Sequence, residues 1–291
     1  MNSTEDASRI IAGTMTWGQW GRGFSTAEME GMILHCLEQG IRTFDHADIY
    51  GGYTTEAEFG KAFERCAVNR ESVEIISKCG IQLPCDARPD QIKHYQYDAD
   101  YIVHSAEASI AALKCEYLDV LLLHRPSPLM QPEAVAAALQ RLRSSGKVRR
   151  FGVSNFTPSQ IRLIESAVPV EAHQFECSLT ARSVLFDGTL DDCIRAGRQA
   201  MAWSPLGTYF SDKGKAKERV RSCLEALSDK YGAAADQLLL AWLLHHPAGI
   251  RPVVGTTRPE RLNRSAAAAA ISLEREDWFA MLVAAQGHEV P

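Results

Sequence analysis

Short apolar runs and amphipathic helical stretches alternate eight times along this chain, and few folds accommodate that order. The runs are Ile10–Gly13, Thr43–Asp45, Val73–Lys78, Val120–His124, Phe151–Ser154, Ala172–Phe175, Ala200–Ser204 and Pro252–Gly255. The helical stretches are Thr26–Gln39, Glu56–Cys66, Tyr101–Leu113, Pro132–Ser144, Pro158–Ser166, Leu190–Arg198, Ala235–His245 and Pro259–Ala270. Short apolar strands that each lead into a helix imply a parallel sheet buried on both faces. Eight βα units close into a (β/α)8 TIM barrel, and 291 residues suit one such domain over 1–291. Extra helices are expected at 215–230 and, at the C-terminal end, 273–286. Pro158 and Pro259 open two of the helices, and Gly40 and Gly146 follow two others, Thr26–Gln39 and Pro132–Ser144.

A net charge of −5 leaves no basic footprint for nucleic acid. The longest apolar run, Leu238–Leu244, is too short to span a bilayer. Met1–Arg9 is polar with no apolar core, so no secretory signal is expected and the cytoplasm is the expected compartment. Eight cysteines without a CxxC pair fit reduced thiols there, with Cys79 and Cys85 the pair placed for oxidation. Residues 79–100 form a long polar connection of the kind that is usually functional. In a barrel it overhangs the mouth.

Four residues carry a chemistry. Asp45, Lys78 and His124 end apolar strands, and Tyr50 follows Asp45 by five positions, so all four fall on the active face of a barrel. A tyrosine, with an ordinary pKa of about 10, is a poor acid at neutral pH. An ammonium beside it favours the phenolate. Lys78 can supply that charge, Asp45 can hold Lys78 in place, and His124 can place a substrate oxygen. The set reads as a general acid beside a carbonyl. A rival reading takes Asp45, His46, Asp48 and His124 as metal ligands, but their spacing is weak and no Cys/His cluster supports it, so no metal is expected.

Three segments carry a family resemblance: Thr43-Phe44-Asp45-His46-Ala47-Asp48-Ile49-Tyr50-Gly51, Leu118-Asp119-Val120-Leu121-Leu122-Leu123-His124-Arg125-Pro126 and Gly146-Lys147-Val148-Arg149-Arg150-Phe151-Gly152-Val153-Ser154-Asn155-Phe156. With them the chain resembles the aldo-keto reductases over nearly its whole length. Gly51-Gly52-Tyr53 and the ending Gly287-His288-Glu289-Val290-Pro291 further resemble a bacterial branch of oxidoreductases.

The resemblance implies an NADP(H)-dependent reductase of small-molecule aldehydes and ketones, with a nicotinamide cofactor across the barrel mouth. It implies that Ser154, Asn155 and Gln174 hold the carboxamide and that Trp203 stacks on the nicotinamide. Ser204, Leu206 and Gly207 pass the pyrophosphate, and Gly13 and Thr14 make the first cofactor contact. The adenosine end is then Gly255, Thr256, Arg258 and Arg261, where a helix N-terminus with arginines suits a 2′-phosphate. Gly255 stands where many members carry lysine, and Ser265 where asparagine often contacts adenine, so NAD(H) is the alternative cofactor. Met15, Trp17 and Trp20 are expected to line the substrate pocket. Two other readings stand beside the reductase: a cofactor-binding regulatory barrel without turnover, and a metal-dependent barrel hydrolase. Oligomeric state is not legible.

Overall fold

Strands that are apolar on both faces bury both only when the sheet closes and helices wrap it. The computed structural model, which describes residues 8–86, 88–211 and 215–291, has this arrangement. Residues 1–7, most of the stretch read as carrying no secretory signal, lie outside the described residues. In chain order the strands are β1 (Ile11–Gly13), β2 (Thr43–Asp45), β3 (Glu74–Cys79), β4 (Ile81–Gln82), β5 (His94–Tyr95), β6 (Leu118–Leu123), β7 (Val148–Ser154), β8 (Ala172–Glu176), β9 (Gln199–Trp203) and β10 (Arg251–Val254). All but β4 and β5 form a closed parallel barrel in the order β1-β10-β9-β8-β7-β6-β3-β2. The exceptions pair antiparallel as a hairpin inside the 79–100 connection. Strands of two residues have no readable period, which is why the sequence shows only a polar loop there.

The helices are α1 (Thr26–Glu38), α2 (Thr55–Cys66), α3 (Ala99–Ala112), α4 (Pro132–Ser144), α5 (Pro158–Glu165), α6 (Thr189–Ala196), α7 (Lys215–Tyr231), α8 (Ala235–Leu244), α9 (Pro259–Ala267) and α10 (Arg275–Gln286). Ser25 and Glu28 form a capping box on α1, and Thr157 and Gln160 another on α5. Helix α8 is apolar all round and buried from Leu238 to Leu244, so it needs a second cover. Helices α7 and α10 supply it. The rings of Trp242 and Trp278 stack at 4.9 Å, and each indole donates to the other residue's carbonyl, at 3.2 and 2.9 Å. Among the described residues, no helix is long and apolar enough to cross a membrane.

Inside the barrel the two-residue period of the strands stacks side chains in layers. The middle layer is dry: Ile11, Ile76, Val120, Leu122, Ala172, Met201 and Val253 form one buried cluster. Gly152 belongs there, since a Cβ on it would lie 2.3 Å from the Ala172 carbonyl oxygen. One layer below, at the strand N-termini, Glu74 accepts hydrogen bonds from Thr43 (2.7 Å), Arg251 (2.8 Å) and Arg150. Arg150 also donates to Gln199 at 2.7 Å. One layer above the dry plug lie Asp45, Lys78, Ser154, Gln174 and Trp203.

Candidate active site

Asp45 ends β2 and points into the barrel, and the chain then turns out through His46 to Tyr50. Gly51 and Gly52 both take positive φ, +64° and +68°, which L side chains rarely adopt. The turn delivers the Tyr50 phenol back over the mouth, next to the head of Lys78 from β3. The Lys78 ammonium donates to Asp45 Oδ1 and Oδ2 at 2.8 and 2.7 Å and to the His46 carbonyl at 2.7 Å. Its Nζ also lies 3.1 Å from the Tyr50 hydroxyl. Lys78 and Asp45 are almost wholly buried, so each is tolerable only with the other beside it.

The electrostatics follow from this packing. Burial, the largest single influence, would lower the Lys78 pKa, but Asp45 and Tyr50 together outweigh it and hold the ammonium above its ordinary value. For Tyr50 the balance differs: burial raises the phenol above its ordinary value although Lys78 pulls down. The expectation of a net lowered phenol is therefore corrected, because desolvation is the larger effect here. Tyr50 is a neutral, proton-bearing phenol at physiological pH, and the ammonium stands ready to stabilise the phenolate formed by proton loss. His124 follows β6, with its ring centroid 6.2 Å from that of Tyr50. Burial, with Lys78, Arg125 and Lys93 nearby, holds its pKa well below the ordinary histidine value, so the imidazole is neutral.

The far side of the mouth is a chain of hydrogen bonds. The Trp203 indole donates to Asn155 Oδ1 at 3.0 Å, and the Asn155 amide donates to Ser154 Oγ at 2.8 Å. Gln174, one strand along, donates to Asp45 Oδ1 at 2.7 Å. The next turn brings Ser204 (φ +50°) and Gly207 (φ +52°) against the loop after β8. A Cβ on Gly207 would lie 1.9 Å from Thr180 Oγ1, so a side chain there would need the loop to move. Leu206 packs between the two large core clusters and anchors this loop. Gly13 faces Val253 and Gly255 across β1 and β10, where a Cβ would meet Val253 at 3.0 Å.

At the opposite rim, Arg258 caps α9 and Arg261 lies in its first turn, both exposed and with no carboxylate partner among the described residues. The Arg258 backbone N–H donates to Thr256 Oγ1 at 3.2 Å. Gly255 has open space where a side chain would stand. Ser265 is buried, its hydroxyl bonded to the Arg261 carbonyl at 2.8 Å, so it braces the helix.

The model of the Aldo/keto reductase family matches residues 9–283. The chain belongs to that family. It is 43% identical to an uncharacterized oxidoreductase, YcsN, of Bacillus subtilis over 290 residues, covering 98% of this chain and 96% of the relative. It is 38% identical to a 6-dehydroglucose reductase of Agrobacterium fabrum, covering 98% and 96%. Among solved structures, a thermostable aldo-keto reductase crystallised with the inhibitor epalrestat superposes with a TM-score of 0.80 at 26% identity, covering 97% of each chain. Carbonyl-reducing oxidoreductase chemistry is thus favoured over metal-dependent hydrolysis.

Several expectations need correcting against this aldo/keto reductase barrel. Trp17 is fully buried between Phe24, Phe44 and Phe59, and its indole donates to the Thr256 carbonyl at 3.0 Å. It is a core residue that ties the first loop to the last one, not a pocket wall. Trp20 and Met15, each 44% exposed, remain at the rim, and the Trp20 ring lies 6.2 Å from Tyr50. Thr14 is also fully buried, and its hydroxyl is engaged with the Asp45 carbonyl (3.0 Å) and His46 Nδ1 (2.9 Å). Its hydroxyl is therefore already used to brace Asp45. The four residues of the metal reading do not converge. Asp45 is held by Lys78 and Gln174. His46 packs on Phe59 at 4.3 Å, with its pKa lowered to about 3 by burial and Lys78. Asp48 points to Ser105, behind the barrel wall, its pKa raised to about 8 by burial and Glu56. Cys79 and Cys85 are both free thiols, and Cys79 is buried.

Proposed function

We propose that this chain is an NADPH-dependent reductase of small carbonyl compounds with Tyr50 as its general acid. The observation that carries the reading is the buried Asp45–Lys78–Tyr50 triad, with neutral His124 beside it on one mouth. The cofactor, when bound, supplies the hydride. Ser154, Asn155 and Gln174 would hold its carboxamide, Trp203 its ring face, Ser204, Leu206 and Gly207 its pyrophosphate, and Gly255, Thr256, Arg258 and Arg261 its adenosine end. The fit is good: amide and hydroxyl donors face the mouth, a glycine cradle follows Trp203, and two guanidinium groups with no acidic partner among the described residues flank a helix N-terminus. Thr14 would act behind Asp45.

The proton follows from the triad. A substrate carbonyl oxygen between the Tyr50 hydroxyl and the His124 imidazole accepts hydrogen bonds from both. As negative charge builds on that oxygen, Tyr50 transfers its proton, and Lys78 stabilises the phenolate left behind. Asp45 keeps the Lys78 head at 3.1 Å from the phenol, and Gln174 keeps Asp45 from turning. The reverse reaction oxidises an alcohol through the same atoms. A cytoplasmic enzyme agrees with eight free thiols. A panel of aldehydes, ketones and quinones with NADPH and NADH tests the reading, and the 6-dehydroglucose reductase relative puts hexose aldehydes in it. No turnover of any of them would leave the regulatory barrel as the better description.

A further inference from the structure

Arg125 is the cation that the mechanism does not use. It follows His124 directly, half-buried at the mouth, and has no carboxylate partner among the described residues. Its Nη1 donates to the His124 carbonyl at 2.8 Å and lies 3.4 Å from Ser154 Oγ. The guanidinium carbon is 5.9 Å from the Trp203 ring centre, close enough for a cation–π contact. It is thus suspended between the residue proposed to hold the substrate oxygen and those proposed to hold the nicotinamide.

Its root is built, not incidental. The buried Tyr97 phenol donates to the Arg125 carbonyl at 2.6 Å and accepts from the Arg125 backbone N–H at 3.2 Å. Tyr97 reaches that place only because residue 80 is glycine. Gly80 sits at φ +111°, and a Cβ on it would lie 2.0 Å from the Tyr97 ring. A loop glycine, a buried phenol and a clamped backbone together fix where this guanidinium starts.

The charge balance of the mouth gives the group a purpose. The Lys78 charge is matched by Asp45. Among the described residues Arg125 has no such match, and Lys93 of the overhanging connection adds a second positive charge that bears on His124. A neutral substrate leaves this excess unanswered. We propose that Arg125 is an oxyanion subsite, so that the preferred carbonyl substrate carries a carboxylate or phosphate beside its reacting group. The planar fork of a guanidinium suits either anion. This rests on the reductase reading and specifies its substrate class.

The test compares 2-, 3- and 4-carboxybenzaldehyde with their methyl esters, and glyceraldehyde 3-phosphate with glyceraldehyde, each with NADPH. At least one anion should exceed its neutral partner in kcat/KM by about tenfold or more, and rising salt should shrink the ratio. Whether the carboxylate or the phosphate pair shows the excess identifies the anion. Arg125→Gln should remove most of that ratio and Arg125→Lys should keep part of it. Calorimetry of the three carbamoylbenzoates, which carry one carboxylate beside an unreactive carbonyl, against their neutral methyl esters on the protein–NADP+ complex needs no turnover, and equal binding of acid and ester there overturns the subsite. Anion preference in binding without any turnover would count against the reductase reading instead. Neutral substrates favoured throughout would overturn the subsite. So would an Arg125→Gln loss that is equal for acids and esters or is matched by lost NADPH affinity, since Arg125 would then be a support for Ser154.

Discussion

The two ends of the barrel interior are made of the same chemistry and use it oppositely. At the base, Glu74 is surrounded by Thr43, Arg150 and Arg251, and Gln199 takes up a remaining donor of Arg150. At the mouth, Asp45 and Lys78 also pair in burial, but the pair leaves the phenol of Tyr50 and the imidazole of His124 facing outward. One carboxylate closes the barrel and the other holds the ammonium beside the proposed acid. What differs is whether the polar groups answer one another within the protein or are left for a ligand. Seven apolar side chains between the two layers keep polar contacts from bridging them.

Two substitutions should break the ends apart. Tyr50→Phe should cut carbonyl reduction by about 10²–10⁴-fold, while cofactor binding and the thermal midpoint barely change. Turnover near wild type would sink the assignment of the mouth. In the wild type the phenol pKa lies above its ordinary value, so reduction should stay flat with pH through about pH 6–9 in steady-state assays.

Glu74→Gln should do the reverse, costing about 2–4 kcal/mol of stability in chemical denaturation with the chemical step intact. Its pH signature has a definite sign. Burial, the largest single influence, would raise the Glu74 carboxyl, but Arg251, Thr43 and Arg150 together outweigh it and the net pKa is lowered. The stability it contributes is then complete above the unfolded value of about 4.3 and is lost as pH falls through the folded one. A variant whose acid limb matched that of the wild type would deny Glu74 this role.

Two smaller effects sharpen the mouth itself, separating its reacting end from its adenosine end. Wild type should bind NADPH at least tenfold more tightly than NADH, by about 1.4 kcal/mol. Arg258→Ala with Arg261→Ala should erase most of that ratio, and salt should erode it. Equal binding of both cofactors would overturn the NADP assignment. Smallest of all, Gly255→Lys has open space to enter and should tighten NADPH by about two- to fivefold at low salt. No tightening, measured by fluorescence titration, would place the 2′-phosphate away from Gly255.

The strands and the four mouth residues were legible because period and position coincide. Asp45, Lys78 and His124 each end an apolar run, and a parallel barrel sends such ends to one face. The base network was not legible, because a charge at the start of a strand, as at Glu74 or Arg251, reads as a solvated boundary. Only closure of the barrel brings positions 43, 74, 150, 199 and 251 together. Trp17 and Trp20 illustrate a second limit. Both are tryptophans of one loop, and spacing alone does not tell the one that packs under it from the one that faces out. Arg125 stood in plain view beside His124, but its proposed role rests on the lack of a carboxylate partner among the described residues, which sequence does not display.

The polar groups proposed to hold the carboxamide already hold each other: Trp203 to Asn155, Asn155 to Ser154, and Gln174 to Asp45. Docking there is an exchange of partners, with little net gain in hydrogen bonds, and departure strands no dry donor. Such a seat contributes direction more than tenacity. Grip must then come from the distant phosphate contacts, so that the reacting ring is guided where it lies and released without a penalty once its work is complete. An enzyme that must trade an oxidised carrier for a reduced one in every cycle gains turnover from this division.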